Sequence, residues 1–256
     1  MDNWKEKYDE LHEKFNRLEE DHKQFIHFAA HDLDSPLRKL SSFVDRLSSK
    51  WSDVQDEHVK NYITRIENCV EDLRSVIDGL HQLSSANSEK TVIQNCDLAK
   101  IVERVLDHLD EEIKEKNAVF TIGELPVIRG NENQCLLLFK NIFDNAIKFS
   151  GKNSSLKVKI NSEVLSKAEQ VSLNLPGQND YYKIMISDNG PGFKQEHAED
   201  IFKPFVRLHG KTEIPGTGLG LAICKKIVEN HHGLIYAEGS ENSGARFVLI
   251  LSQNPE

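Results

Sequence analysis

Apolar residues in the first ninety positions recur three and four apart. Tyr8, Leu11, Phe15, Leu18, His22, Phe25 and Ala29 make one such series, with Trp4 one heptad before Leu11. That spacing builds a coiled-coil seam. A second series, Leu33, Leu37, Leu40, Val44, Leu47 and Trp51, joins the first through two successive steps of four, 29 to 33 to 37. Such a phase shift locally unwinds a supercoil. Pro36 lies inside it, where the missing N–H leaves the Asp32 carbonyl without a helical partner and the ring bends the helix. A helix distorted around residues 31–36 is expected. After the polar break Ser52–Glu57, a third series reads Val59, Ile63, Ile66, Val70, Leu73, Ile77 and Leu80. Two long helices therefore form a hairpin. Such a hairpin carries more apolar surface than it can cover alone, and pairing with a second copy in a four-helix bundle is the economical solution. A homodimer held by residues 33–83 is expected, against the alternative of a monomeric bundle packed on the rest of the chain.

Ser84–Lys90 is small and polar, and beyond it the periodicity changes to that of an α+β domain. The expected elements are a strand at 91–95, a helix from Leu98 to Lys114 capped by Asp97, strands at 118–122 and 126–129, and a helix from Glu132 to Phe149. Strands at 155–161 and 181–187 follow, then a loop-rich stretch, a helix at 218–231, and a closing hairpin of 234–238 with 245–251. The polar stretch Asn161–Asp180 reads as a solvated excursion between two strands. Glycine and proline follow the same division: residues 1–90 hold only Gly79 and Pro36 of the 14 glycines and 7 prolines.

Composition removes several classes of function. No apolar run is longer than Cys135–Phe139, far short of the roughly 20 residues that cross a bilayer, so no membrane span is expected. The opening Met1-Asp2-Asn3-Trp4-Lys5-Glu6 has neither the basic flank nor the apolar stretch of a secretion signal. Cys69, Cys96, Cys135 and Cys224 make no CxxC pair, which fits a reducing cytoplasm. A net charge of −9 with no cluster of Lys and Arg argues against nucleic acid as a partner.

Four short segments carry candidate chemistry. In Phe28-Ala29-Ala30-His31-Asp32-Leu33-Asp34-Ser35-Pro36, a histidine on the flank of the seam precedes a carboxylate and the helix distortion. A neutral imidazole is a good nucleophile, and a nearby carboxylate can orient it and take its proton. Alone, His31 with Asp32 is a weak signal, since most of the 11 histidines read as surface residues. Asn141, Asn145 and Lys148 share one helical face, opposite Leu138, Ile142, Phe143 and Ala146. Amide oxygens suit Mg²⁺ and an ammonium suits phosphate, although a solvated face has the same pattern. Ser187-Asp188-Asn189-Gly190-Pro191-Gly192-Phe193 ends a strand in a turn whose glycines let backbone approach a ligand, and Asp188 can accept from the amino group of a base. Pro215-Gly216-Thr217-Gly218-Leu219-Gly220-Leu221 opens a helix whose N–H groups suit polyphosphate. No preceding strand supports a Rossmann unit, and GxxxxGK[ST] and the HRD and DFG signatures are absent.

Taken in order, these segments resemble the sensor histidine kinases of two-component signalling, over nearly the whole chain from Phe25 to Leu251. The His31 segment is similar to the family's phosphoacceptor box, and residues 141–150, with Phe149, to its asparagine box. Residues 188–192 are similar to the first glycine box, Ile201–Arg207 to the phenylalanine box, and 216–221 to the second glycine box. The resemblance implies a signalling coiled coil (1–28), a dimeric phosphoacceptor domain (29–86), a linker (87–90), and an α/β sandwich that binds ATP (91–253), of the type also found in gyrase and heat-shock chaperone ATPases. It implies that Asn145 is the principal Mg²⁺ ligand with Asn141 beside it, that Lys148 contacts phosphate, and that Asp188 recognises the adenine amino group. Phe193 through Pro215 would be an ATP lid. Gly190, Gly192, Gly216, Gly218 and Gly220 would let it hinge, with Thr217, Leu219 and Leu221 in the same box, Phe202 and Phe205 would anchor its base, and Arg207 would approach the γ-phosphate. Many members carry Thr or Asn four residues after the histidine to position water for dephosphorylating the partner. Here Ser35 stands there, with a hydroxyl of a different shape, and phosphatase activity is left open.

The function implied is an ATP-dependent autophosphorylating kinase that phosphorylates His31 and passes the phosphoryl group to an aspartate of a response regulator receiver domain. An ATP-binding scaffold without kinase activity and an ATPase without phosphotransfer are the alternatives, and the second leaves the His31–Pro36 constellation unexplained. The seam from Trp4 to Ala29 resembles the tail of a signalling coiled coil, so input is expected from a domain cut away or from a partner.

Overall fold

The computed structural model describes residues 33, 37–45, 47, 57–86, 92–150, 155–176, 179–208 and 216–254. The expected coiled coil of residues 1–28 and, apart from Leu33, the expected bend at 31–36 with His31, Asp32 and Ser35 lie outside them. The chain divides into two compact units, Met1–Asn87 and Ser88–Glu256.

In the first unit, residues 37–45 form helix α1 and Glu57–Ala86 form α2. The apolar series divides into rows one heptad apart. Leu37 and Val44 of α1 are buried with Val70 and Ile77 of α2, and Leu80 packs against them. The alternate rows, Leu33, Leu40 and Leu47 with Ile66 and Leu73, stay 43% to 51% exposed. The hairpin thus uses half of its seam internally. Among the described residues no helix is long and apolar enough to cross a membrane.

In the second unit, β1 (Gln94–Asp97) leads directly into α3 (Leu98–His108), because the Asp97 carboxylate caps the helix by accepting from the N–H groups of Ala99 and Lys100. The helix expected to reach Lys114 breaks instead at Leu109, whose backbone leaves the helical region at φ −106°, ψ 14° while its side chain is buried. The chain resumes as α4 (Asp110–Glu115), which buries nothing. Then come β2 (Val119–Ile122), β3 (Val127–Gly130) and α5 (Glu132–Lys148), with Asn131 capping α5 through the Gln134 N–H at 2.9 Å. Next are β4 (Lys157–Val164), α6 (Lys167–Ser172) and β5 (Tyr181–Asp188), two 3-10 turns (Gln195–His197 and Asp200–Phe202), α7 (Gly220–Asn230), β6 (Leu234–Gly239) and β7 (Ala245–Ser252). A five-stranded sheet has the order β2-β4-β5-β7-β6, and β1 pairs with β3 apart from it. Among the described strands only β2 runs parallel to its neighbour.

Alternate strand residues meet the helices, as a half-buried sheet requires. Val158, Ile160, Ile184, Ile186, Phe247 and Leu249 are buried, as are Leu138, Phe139, Ile142 and Phe143 of α5 and Ile223 and Ile227 of α7. Phe120 meets Phe143 edge to face, with ring centroids 5.2 Å apart.

Residues 161–180 correct the expectation of a solvated excursion. Strand β4 continues to Val164, and α6 is fixed by a capping box in which Ser166 and Glu169 satisfy each other's backbone N–H groups. Leu165 is buried with Tyr181, Val248 and Ile250, and Leu173 and Leu175 pack on this cluster. The segment covers part of the sheet's other face.

His231 closes α7 and is 2% exposed. Its Nδ1–H donates to the Ile227 carbonyl at 2.7 Å, and its Nε2 accepts the Asn131 N–H at 3.0 Å. It thereby ties the end of α7 to the start of α5. Burial holds the imidazole pKa below its ordinary value, outweighing the opposite pull of the Ile227 carbonyl. A histidine neutral when folded must be protonated against that environment, so its contribution is complete above the unfolded pKa of about 6.5 and is lost as pH falls through the lower folded value. Stability should therefore decline as pH drops below neutrality. Urea titrations of wild type and His231→Gln at successive pH values should show a shallower decline in the variant, and parallel curves would refute the assignment.

Candidate active site

Helix α5 aims one face into a cleft. Asn141, Asp144, Asn145 and Lys148 line it, with Ala146 and with Phe149 just past the helix end, because the residues opposite them, Leu138, Ile142 and Phe143, are buried in the core. Asp144 is engaged by Lys140 at 2.7 Å, so the two asparagines are the uncommitted oxygen donors on this face. Asn141 Nδ2 is buried with no hydrogen-bond partner among the described residues. A Cβ added to Gly220 would stand 3.1 Å from Asn141 Oδ1, so the start of α7 closes onto this amide. Which amide end faces the cleft is interchangeable by half a turn. An unsatisfied buried amide beside a second one fits a small hard cation, whose remaining positions would be filled by phosphate oxygens and water.

At the end of β5, Asp188 Oδ1 accepts from the N–H groups of Gly190 at 2.8 Å and Ala245 at 3.3 Å. Its second oxygen takes no hydrogen bond among the described residues. Burial pushes its carboxyl pKa above the ordinary aspartate value, against the lowering pull of those two N–H groups. A half-solvated carboxylate with one free oxygen in a cleft is an acceptor for an N–H donor on a ligand. Asn189 braces it by accepting the Lys157 N–H and donating to the Ser155 carbonyl.

Gly192 (φ +66°) is required by contact as well as conformation, since a Cβ there would lie 2.1 Å from the Ser240 carbonyl oxygen. Gly218 (φ +73°) presses on the Phe205 backbone, and its carbonyl accepts the Phe205 N–H at 2.9 Å. Phe202 is buried, as expected of an anchor. Phe205 is not anchored by its ring, which is 55% exposed; its backbone, at φ +63°, makes the connection to Gly218. Arg207 lines the cleft and donates from Nη1 to the Gly216 carbonyl at 2.9 Å. Gly216, Thr217, Gly218, Gly220 and Leu221 line it too, and Thr217 Oγ1 accepts the Leu219 N–H. Among the described residues no side chain caps the N-terminus of α7, which leaves its first-turn N–H groups for an anion.

Most of the site residues singled out above meet at this one cleft. Gly190, Phe202, Phe205 and Leu219 support it from behind, and Pro215 lies outside the described residues. Residues not anticipated are Ala245 and Phe247, which add apolar lining beside Ile201, Val206 and Leu208 of the expected lid, and Gly244. At Gly244 (φ +89°) a Cβ would fall 2.0 Å from the Asp188 carbonyl oxygen, so the β6–β7 turn supports the carboxylate.

Side-chain amides, an uncapped helix start and a carboxylate with one open oxygen thus line a single cleft of an α/β sandwich built on a mixed sheet. Two family models match: that of the histidine kinase-, DNA gyrase B-, and HSP90-like ATPases over residues 130–255, and that of the His Kinase A (phospho-acceptor) domain over residues 21–89. The chain belongs to the sensor histidine kinases. It is 31% identical to the phytochrome-like protein Cph1 of Synechocystis sp., covering 94% of this chain and 30% of the relative. The chain thus spans about 30% of that curated relative's length. The catalytic domain of histidine kinase ThkA is 27% identical, with a TM-score of 0.51, over 64% of this chain and 100% of that one. ThkA solved in complex with response regulator protein TrrA shares the fold at 23% identity and a TM-score of 0.61, over 97% of this chain and 66% of that one.

Proposed function

We propose that this chain is the kinase core of a two-component system, in which ATP bound in the cleft phosphorylates His31. The buried, unpartnered Asn141 amide beside Asn145, in one cleft with the singly open carboxylate of Asp188 and the start of α7, is the observation that carries it. Asp188 holds the adenine amino group, and Lys148 with the first turn of α7 holds the phosphates. Asn145, with Asn141, would hold Mg²⁺, which neutralises phosphate charge when bound. Arg207 exchanges the Gly216 carbonyl for the γ-phosphate. A ring nitrogen of His31 forms the N–P bond as the bond to the β,γ-bridging oxygen breaks, Asp32 takes the ring proton, and ADP leaves. The phosphoryl group then passes to an aspartate of a response regulator; the Ser35 hydroxyl, four residues after His31 in the sequence, is the group that would orient water if the chain also dephosphorylates that partner.

The exposed row Leu33, Leu40, Leu47, Ile66 and Leu73 supports a homodimer through residues 33–83, since a second copy presents the same heptad spacing. The domain limits are 1–28, 29–86 and 91–253 with a linker at 87–90, and the location is cytoplasmic. Incubation with γ-labelled ATP tests this reading. Acid-labile, alkali-stable label should appear in wild type and be absent from His31→Gln, and equal labelling of the variant would sink it.

A further inference from the structure

The start of the expected lid is stapled to the β6–β7 hairpin at three points. The Pro191 carbonyl accepts the Asn242 N–H at 2.6 Å. The Phe193 ring occupies the space a Cβ on Gly239 would need, 2.6 Å away. The Gln195 carboxamide donates to the Ala237 carbonyl at 3.3 Å and accepts the Gly239 N–H at 2.9 Å. Among the described residues β6 is an edge strand, paired only with β7. Its outward groups at residues i and i+2 are those that a residue of an added parallel strand would bond. Gln195 imitates one residue of that missing strand with its side chain.

We infer that Gln195 is a positioning residue that fixes the root of the ATP lid to the free edge of β6, so that the lid begins after Gln195 rather than at Phe193. The inference rests on the cleft binding ATP as proposed above. The β6–β7 turn also supports Asp188 through Gly244, so the base site and the lid root share one footing. A lid released from that footing loses its orientation over the nucleotide before the phosphates are reached. Ground-state binding suffers, while the chemistry of a filled site does not.

Gln195→Met keeps the length of the side chain and removes both hydrogen bonds. In the full chain it should raise the KM for ATP in autophosphorylation, and the calorimetric Kd for Mg-ATP, by about fivefold, the worth of one or two net hydrogen bonds. The labelling rate at saturating ATP should stay within about twofold, with thermal stability unchanged. Gln195→Glu still accepts from Gly239 but sets a carboxylate oxygen against the Ala237 carbonyl, which protonation relieves. The ratio of its Kd to that of wild type should therefore fall as pH is lowered, a change that cancels the titration of Asp188 and that simple loss of packing would not produce. A Kd for Gln195→Met equal to wild type, or a Glu-to-wild-type ratio independent of pH, overturns the assignment. If wild type binds Mg-ATP but forms no phosphohistidine, the kinase reading fails while the Kd comparison still decides the role of Gln195.

Discussion

Autophosphorylation of an Asn145→Ala variant should fall by about 10²- to 10³-fold, corresponding to the several kcal/mol a metal clamp contributes to phosphoryl transfer. Asn145 sits on the cleft-facing stripe of α5, and its backbone carbonyl is already committed to the Phe149 N–H, so its side chain is the part free to serve a ligand. The neighbouring acid does not substitute for it, because Asp144 is paired with Lys140. Asn141 remains in the variant, but as one amide donor in place of two. Nucleotide affinity measured with Mg²⁺ chelated should be the same in variant and wild type, and the difference should open only when Mg²⁺ is added. An equal loss of affinity without the metal would move Asn145 from the metal to the nucleotide itself. An undiminished rate would remove it from the site.

The stripe that carries this prediction was legible in the sequence because a helix repeats its faces at fixed spacing. Asn141, Asn145 and Lys148 stand out against an apolar background, as do the rows of α2. The same logic failed where burial depends on distant partners. Leu165, Leu173 and Leu175 have no common period and lie among polar residues. Leu165 is buried, and Leu173 and Leu175 are partly covered, because Val248 and Ile250 wait on β7, some eighty positions away in the chain. Leu109 breaks a helix that local propensity would continue, since its side chain is drawn into the core and the acidic residues after it have nothing to cover.

Glycines divide in the same way. Those of the two boxes announce themselves by density, whereas Gly244 is a lone glycine in a hairpin turn. Its importance comes from a carbonyl on β5 that only the folded sheet brings within reach. Phe205 shows the converse error: the family resemblance implies an anchor at the base of the lid, and the ring is outside while the backbone does the anchoring. Periodicity reveals what each element presents, and pairing decides which presentations meet.

Exchange of a single oxygen for an amino group makes the sharpest test of base recognition. In Asp188→Asn the two backbone donors, Gly190 and Ala245, select the amide oxygen for the position of Oδ1, which forces the NH₂ to face the cleft where the carboxylate's free oxygen stood. A donor then opposes the adenine amino group. Losing a charge-assisted hydrogen bond costs about 1.5–3 kcal/mol, and the clash of donors adds to it, so ATP affinity should fall by about 10²-fold or more. The same NH₂ can donate to a purine carbonyl, so discrimination between ATP and ITP should narrow or reverse. The wild-type carboxyl titrates above the ordinary aspartate range because it is buried, and protonation turns its free acceptor into a donor. Wild-type affinity should therefore decline on acidification earlier than an exposed aspartate would cause, and the Asn variant should lack that component. Calorimetric titration of both proteins with ATP and ITP across this pH range measures all three effects. An Asn variant that keeps its preference for ATP and its pH dependence would place the base elsewhere in the cleft.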